Sequence, residues 1–462
     1  MESNTTQVKR ANPLGYAPIG SLIAKFAIPS VISFLVTSAY NITDQIFIGH
    51  VIGMLGNAAT NVSFPLVTLT TALAQLAGVG TAANFNLHMG AKEEEKAKEY
   101  IGTGIALMAI IGTLLFLIVT IFKSPLLILC GATNTVFPLA KSYLGITAIG
   151  LPFLLFTNSS SNVIRADGSP SYSMFCTVTG AVLNIFLDWL FMFVFEWGIQ
   201  GAAIATVIGQ VVSFLLCISY YFRFKTFKIR LSMLVPQMSN LIDIIKVGMS
   251  NFFNLFIMMF VNIVLNNCLK TYGAQSIYGS DIPLAVSGVI AKINSILSAF
   301  SVGISHGCQP IFGFNMGAKN YRRVKETYKK AITVALCLSL VALFSFQMFP
   351  RQITGIFGSG NELYFQFAEQ YLRIFLLMVS AQVINPITVN YFTSTGNVKQ
   401  GLFLSLSRQG LILLPLLLIL PKFLGIDGIL YAGPIADLAA GILSLAMVAV
   451  SFKKMTKLEM ES

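Results

Sequence analysis

Two acidic residues stand inside long apolar runs: Asp44 in AYNITDQIFIGH (39–50) and Asp188 in LNIFLDWLFMF (183–193). An ionisable group in hydrocarbon costs about 2.5–3.5 kcal/mol on insertion scales, so each is a candidate for chemistry. At a helical rise of about 1.5 Å per residue, Asp44 lies about four residues from the far end of the first run. By the same count Asp188 lies about 16 residues into the fifth, which puts both in the same half of the membrane. Two such carboxylates can hold a proton, a Na⁺ ion or an organic cation, but not all at once. Asn184 precedes Asp188 by one turn and shares its helix face. Asn162 and Thr206, in neighbouring runs, are candidate neutral oxygen donors of the kind a hard cation favours. A Na⁺ site at Asp44, Asp188 and Asn184 is one expectation. Tyr40 and Asn41, next to Asp44, are candidates to touch an organic cation. The plainer alternative is that Asp44 caps or bridges helices and Asp188 hydrogen-bonds a hydroxyl.

The second half is charged differently. Lys292, Arg408 and Asp437 each lie about nine or ten residues into their runs, near mid-membrane. Equal depth predicts that Asp437 pairs with Lys292 or Arg408; otherwise Lys292 and Asp437 are candidate substrate contacts. The six cysteines are scattered without a CxxC pair and read as small hydrophobes. His50, His88 and His306 are equally unclustered. No HExxH occurs, and the one GxSxG match, Gly303 to Gly307, lies inside the apolar run 283–313 rather than at a strand-to-helix turn, so neither an enzyme nor a resident cofactor is expected beyond a coupling ion, H⁺ or Na⁺.

The elements that must position these residues are membrane helices. The chain of 462 residues is 55% hydrophobic and 10% charged, with mean hydropathy +0.76. Soluble chains carry about 25% charged residues. Runs such as 101–122, 331–349 and 427–452 are long enough to span hydrocarbon as helices, which takes about 20 residues. Twelve runs are predicted: 20–48, 60–88, 99–122, 138–162, 172–195, 199–222, 241–268, 283–313, 327–349, 366–391, 400–421 and 427–452. Pro29 is expected to kink the first. The first 20 residues hold no apolar segment of the signal-peptide kind. The net charge of +12 does not point to nucleic acid. About 20 of the 30 Lys and Arg fall at the termini and on alternate loops, from Lys9 and Arg10 through Lys92, Arg165, Arg223–Arg230, Lys319–Lys330 and Lys399 to Lys453–Lys457. That asymmetry predicts a multi-pass plasma-membrane protein with both termini cytoplasmic and basic loops against anionic lipid.

The chain also repeats itself. Met89-Gly90-Ala91-Lys92 recurs 227 positions on as Met316-Gly317-Ala318-Lys319. The same offset carries Lys98-Glu99 to Lys325-Glu326, Gly80 to Gly307, Gly198-Ile199 and Gly201 to Gly425-Ile426 and Gly428, and Ala205 to Ala432. With an even number of spans per copy, the copies are parallel, related by an axis along the membrane normal. The expected organisation is a six-helix lobe at 1–222, a cytoplasmic linker at 223–240 and a second six-helix lobe at 241–462. Two such lobes around a cleft are a transporter plan.

YNITDQIFIGH (40–50), RADGSP (165–170) with LNIFLD (183–188), GIQGAAIAT (198–206), GISHGCQPIFGFNMGAKNYRRVKET (303–327), SLSRQGLILLP (405–415) and GPIAD (433–437) together resemble the multidrug and toxic compound extrusion (MATE) family, in its prokaryotic DinF-like branch. The resemblance covers essentially the whole chain. It implies an all-α fold of twelve transmembrane helices in two pseudo-symmetric six-helix bundles (the MATE/MOP type). It also implies cation-coupled efflux of amphipathic, mostly cationic compounds by alternating access. Carried over, the key acids are Asp44 and Asp188, with Asn184, Asn162 and Thr206 around them and Pro29 bending the first helix. His306 stands where related sequences look to have Gln. The seventh and tenth helices, which carry carboxylates in other branches, hold only Asp243 and Glu369 near their ends. A flippase for a lipid-linked precursor is the alternative function; it would need a cleft lined with cations, for which only Lys292 and Arg408 are candidates. A monomer is expected.

Overall fold

A computed structural model describes residues 12–357 and 361–461; Lys9 and Arg10 lie outside them. Helices account for nearly all of it, and no strand occurs among the described residues. The first half holds α1 (Ile19–Val51), α2 (Met54–Gly90), α3 (Glu94–Ile121), the short α4 (Lys123–Leu129), α5 (Phe137–Ala166), α6 (Pro170–Trp189) and α7 (Gly198–Tyr221). The second half holds α8 (Met238–Ala274), α9 (Asp281–Gly317), α10 (Tyr321–Met348) and the short α11 (Pro350–Phe357). It continues with α12 (Glu362–Phe375), α13 (Val379–Gln382), α14 (Ile384–Ser394), α15 (Val398–Leu406), α16 (Leu414–Leu424) and α17 (Ile426–Glu461). Eleven helices are long and apolar enough to span a membrane, and a bent pair supplies the twelfth. Twelve crossings put both chain ends on one face, called here the terminal side.

The tenth span differs from the single run expected at 366–391. It breaks after Phe375 and bends by 49° between Glu362–Phe375 and Val379–Ser394. Pro386 falls in the first turn of α14, where its missing N–H costs nothing. Two other spans contain a π-helical turn, Leu190–Val194 just after Asp188 and Ser407–Leu413 around Arg408. Each inserts extra backbone per turn and re-aims the side chains beside it. α1 runs unbroken through Pro29, which leaves the carbonyl of Lys25 without its helical partner.

The 227-residue repeat is built into the backbone. Met54–Gly90 and Asp281–Gly317 are equivalent helices at that offset, as are Glu94–Ile121 and Tyr321–Met348. Lys92 and Lys319 both stop their helices in the left-handed region, at φ 64° and 55°. Gly90 and Gly317 explain why the box recurs. A Cβ at Gly90 would overlap the carbonyl oxygen of Phe314, and one at Gly317 that of Leu87. Leu87 and Phe314 are themselves 227 apart. The two contacts are therefore one contact seen twice, where α2 crosses α9 at the terminal end of the pseudo-twofold axis. Only a residue without Cβ lets backbone approach backbone this closely.

The contacts between the bundles run from the terminal side to just past mid-helix. Gly307 packs on the backbone of Ala27 and Gly303 on that of Val31; in the symmetric place, Gly80 packs on Ile244 and Gly248 on Leu76. Hydrogen bonds cross there too, from Tyr100 to Asp243 (3.3 Å), Asn240 to Glu99 (3.3 Å) and Gln309 to Val79 (3.4 Å). Going away from the terminal side, Ser38 Oγ and Ser295 Oγ at 3.2 Å make the last such hydrogen bond among the described residues. Beyond it no hydrogen bond joins the halves among the described residues, which puts the mouth of the cleft on the far side. The connector after α7 folds back on the first half: Asp167 accepts from Tyr220 Oη (2.6 Å), from Lys225 N (2.7 Å) and from Thr226. Burial still pushes the Asp167 carboxyl above the usual carboxylate range.

Candidate functional site

α1 and α6 lie side by side in the first bundle and bring Asp44 and Asp188 together. Asp44 is 9% exposed and Asp188 fully buried. Their carboxyls lie within hydrogen-bonding reach of each other. Two carboxylates so close need a proton or a cation between them. Oδ1 of each has no partner among the described residues. With its amide nitrogen turned to Asp188, Asn184 donates to Oδ2 at 3.2 Å and accepts from the backbone N–H of Thr206 at 3.2 Å. Gln45 reaches Asp44 and also ties α1 to α2, donating from Nε2 to Thr60 Oγ1 at 3.2 Å. Tyr40 stands beside both acids.

One member escaped the sequence. Tyr143, on α5, is buried beside Asp44, Tyr40 and Asp188 and hydrogen-bonds the side chain of Thr206. Its depth from the far end of its run matches that of Asp44, and that was the available signal. A neutral phenol does not stand out in a search for charges.

Asn162 is not part of this group, contrary to expectation. It sits 19 residues beyond Tyr143 on the same helix, about 28 Å along the axis towards the terminal side. The fourth span runs inward, so its last residues cannot share the depth of Asp44. There Asn162 Oδ1 accepts from Arg165 Nη2 at 2.6 Å and faces His306 Nδ1 at 3.2 Å. This is a buried seam between the halves, with the Phe34 ring tilted against His306 at 5.5 Å between centroids. Asn184, by contrast, lies beside Asp188 and Thr206, and Thr206 also beside Tyr143.

In the second half, Arg408 Nε meets Asp437 Oδ1 at 2.5 Å. Asp437 is buried in that pair and is not presented to the cleft as a substrate contact. Lys292 is half-buried with no ion-pair partner among the described residues, and Asn41 is exposed. No group of three His, Cys, Asp or Glu able to hold a metal occurs among the described residues. A Na⁺ ion at the acids would rely on Asp44 Oδ1, Asp188 Oδ1 and an Asn184 turned to offer its oxygen.

Two pseudo-symmetric bundles, a cleft closed at one end and a buried acid pair in one wall define a membrane carrier rather than a continuous pore. The chain belongs to the MatE family, whose model matches residues 29–190 and 252–419. It is 23% identical over 433 residues to the multidrug export protein MepA of Staphylococcus aureus (strain MSSA476), covering 94% of each chain. It is 24% identical over 424 residues to MepA of Staphylococcus saprophyticus, covering 92% of each. Among solved structures, a MATE crystallised in complex with MaL6 superposes with TM-score 0.90 at 23% identity, over 96% of this chain and 99% of that one. A MOP superfamily transporter from Pyrococcus furiosus superposes with TM-score 0.89 at 23% identity, over 96% and 98%.

Proposed function

We propose that this chain is a secondary active multidrug exporter of the plasma membrane. It exchanges H⁺ or Na⁺ for amphipathic, mostly cationic organic compounds by alternating access between a lobe ending near 222 and a lobe beginning near 241. The observation that carries this reading is the Asp44–Asp188 pair, buried in the first bundle with no Lys or Arg beside it among the described residues. One cationic guest at a time is what two adjoining carboxylates accept, and mutual exclusion of guests is exchange. Similarity to multidrug export proteins over nearly the whole chain supports the substrate class. The basic loops on the terminal side support cytoplasmic termini, which makes the described form outward-open. Tyr40 and Asn41 line the approach to the acids for the substrate.

With its amide nitrogen turned to Asp188, Asn184 supports the ionised carboxylate; with its oxygen turned there it accepts from a protonated Asp188 or ligates Na⁺, so its orientation follows the coupling ion. Ion binding at the pair would be followed by closure of the far side, with α1 yielding where Pro29 has removed a backbone hydrogen bond. Flipping of a lipid-linked precursor is disfavoured, because Arg408 is consumed by Asp437 and Lys292 alone cannot line a cleft for pyrophosphate.

The test is efflux of a fluorescent organic cation from proteoliposomes, driven separately by a proton gradient and by a Na⁺ gradient. Asp44→Asn and Asp188→Asn are expected to fold and to lose gradient-driven efflux. Full efflux in both variants removes the acid pair from the mechanism.

A further inference from the structure

We propose that Lys292 is a tethered counter-cation for the Asp44–Asp188 pair, which it enters when the far side of the cleft closes. The proposal rests on the acid pair being the exchange site.

The packing of α1 against α9 sets the register. Ala27 meets Gly307, Val31 meets Gly303, and Ser38 meets Ser295, so the helices run antiparallel and steps along one match steps along the other. One turn further out, Asn41 comes opposite Lys292. Ser295 faces α1, and Lys292, three residues before it, shares that face. Asn294 lies on another face, where Gln382 Nε2 donates to it at 3.1 Å. In the described form no hydrogen bond joins the two helices at this level among the described residues. Lys292 thus has no acid partner among the described residues, and Asn41 is exposed.

Closure of the far side extends the register and brings the ammonium to the acids. From the Ser38–Ser295 contact, Lys292 is about 4.5 Å further out and Asp44 about 9 Å. Side chains lean towards the N-terminus of their own helix. α9 begins on the far side, so Lys292 leans outward; α1 begins on the terminal side, so Asp44 leans inward. The two lean towards each other along the axis, but Asp44 lies about 120° round α1 from Ser38, on the flank that carries Asp188, so the four-carbon stem must reach round α1 as well as along it. Arg408, the other cation at mid-membrane in the second half, is already held by Asp437. The pair then has three alternative guests: the coupling cation, the cationic substrate, and the ammonium of Lys292. With Lys292 in place, the unloaded carrier can close its far side without burying two uncompensated carboxylates.

The experiment places a spin-label pair at Val51 and Ile277, exposed positions at the far ends of the two halves, with Cys130 and Cys337 replaced by Ser. Distances are read in proteoliposomes, free of Na⁺ and of substrate, at one mildly alkaline pH. Wild type is expected to populate a short-distance, closed form. Lys292→Gln and Lys292→Met should lose that form by about tenfold or more, since leaving a buried carboxylate without its cation is strongly destabilising. Lys292→Arg should restore it. If Lys292→Gln and Lys292→Met close as wild type does, the tether is wrong. Should those two behave normally while Asp44→Asn abolishes efflux, only this proposal falls. Full efflux with both acids neutralised would bring down the exchange site and the tether together.

Discussion

A carboxylate inside a membrane needs a counter-charge, and this protein meets that need in two ways. Asp437 has a permanent partner in Arg408; Asp44 and Asp188 have no cationic partner among the described residues, only each other and neutral groups, with one oxygen apiece left open. A permanent pair supports the fold, whereas a pair short of positive charge can exchange guests. Removing one member of the buried pair strands the other, at a cost of about 3–5 kcal/mol. Asp437→Ala is therefore expected to lower folded yield and thermal stability in detergent sharply. The double variant Asp437→Leu/Arg408→Leu should recover most of both, because the stranded charge is gone. A double variant as unstable as the single would mean that the pair is not what Asp437 supplies. Asp44 and Asp188 stand out in the sequence because charge in an apolar run is conspicuous. Tyr143 and Asn162 were not placed, because depth along a helix depends on which way the helix runs and neutral groups carry no flag.

At the scale of elements, the internal repeat allows one half to be read against the other. Span number, the short loops and the parallel repeat were legible from hydropathy and the shared offset. The break between α12 and α13 and the two π-helical turns were not, because they arise from packing rather than composition. The repeat also exposes a local difference. An apolar cavity of about 230 Å³ lies between α9, α10 and α13, lined by Ala335, Ala342 and Val383 among others. The equivalent positions 227 earlier are Met108, Leu115 and Phe156, all buried in the first bundle's core. Ile304 replaces Ala77 on the facing helix and recovers only part of the volume. Restoring the first-half residue should therefore fill space without strain. Ala342→Leu is expected to raise stability by about 1 kcal/mol, within the range for cavity filling. Thermal unfolding followed in detergent reads the gain. A fall would show that neighbouring side chains have already closed around the alanine.

For the whole molecule, the question is what holds the described form closed on the terminal side. The contacts there are backbone against backbone, made possible by glycines that recur with the repeat, and they lie between bundles rather than within one. This separates folding from conformation. At Gly90 and at Gly317 an added methyl meets the carbonyl of the opposite half, which no rotamer change can move aside. The cheapest relief is for α2 and α9 to part at their terminal ends, leaving each bundle's own core intact. Gly90→Ala and Gly317→Ala are therefore expected to fold, and to shift the protein towards a form open on the terminal side. A penalty of about 1.4 kcal/mol on the closed contact changes the ratio of forms about tenfold. Spin labels at Lys96 and Arg322, exposed on the two halves near that crossing, should report a longer distance in both variants. Turnover should fall with it, because a carrier that lingers open on one side presents its acids to the other less often. Gly20→Ala, where an added methyl meets nothing within 4 Å, should leave distance and turnover as in wild type. Unchanged distances in Gly90→Ala and Gly317→Ala would mean that the crossing is not the closing contact, and that the duplicated box serves folding alone.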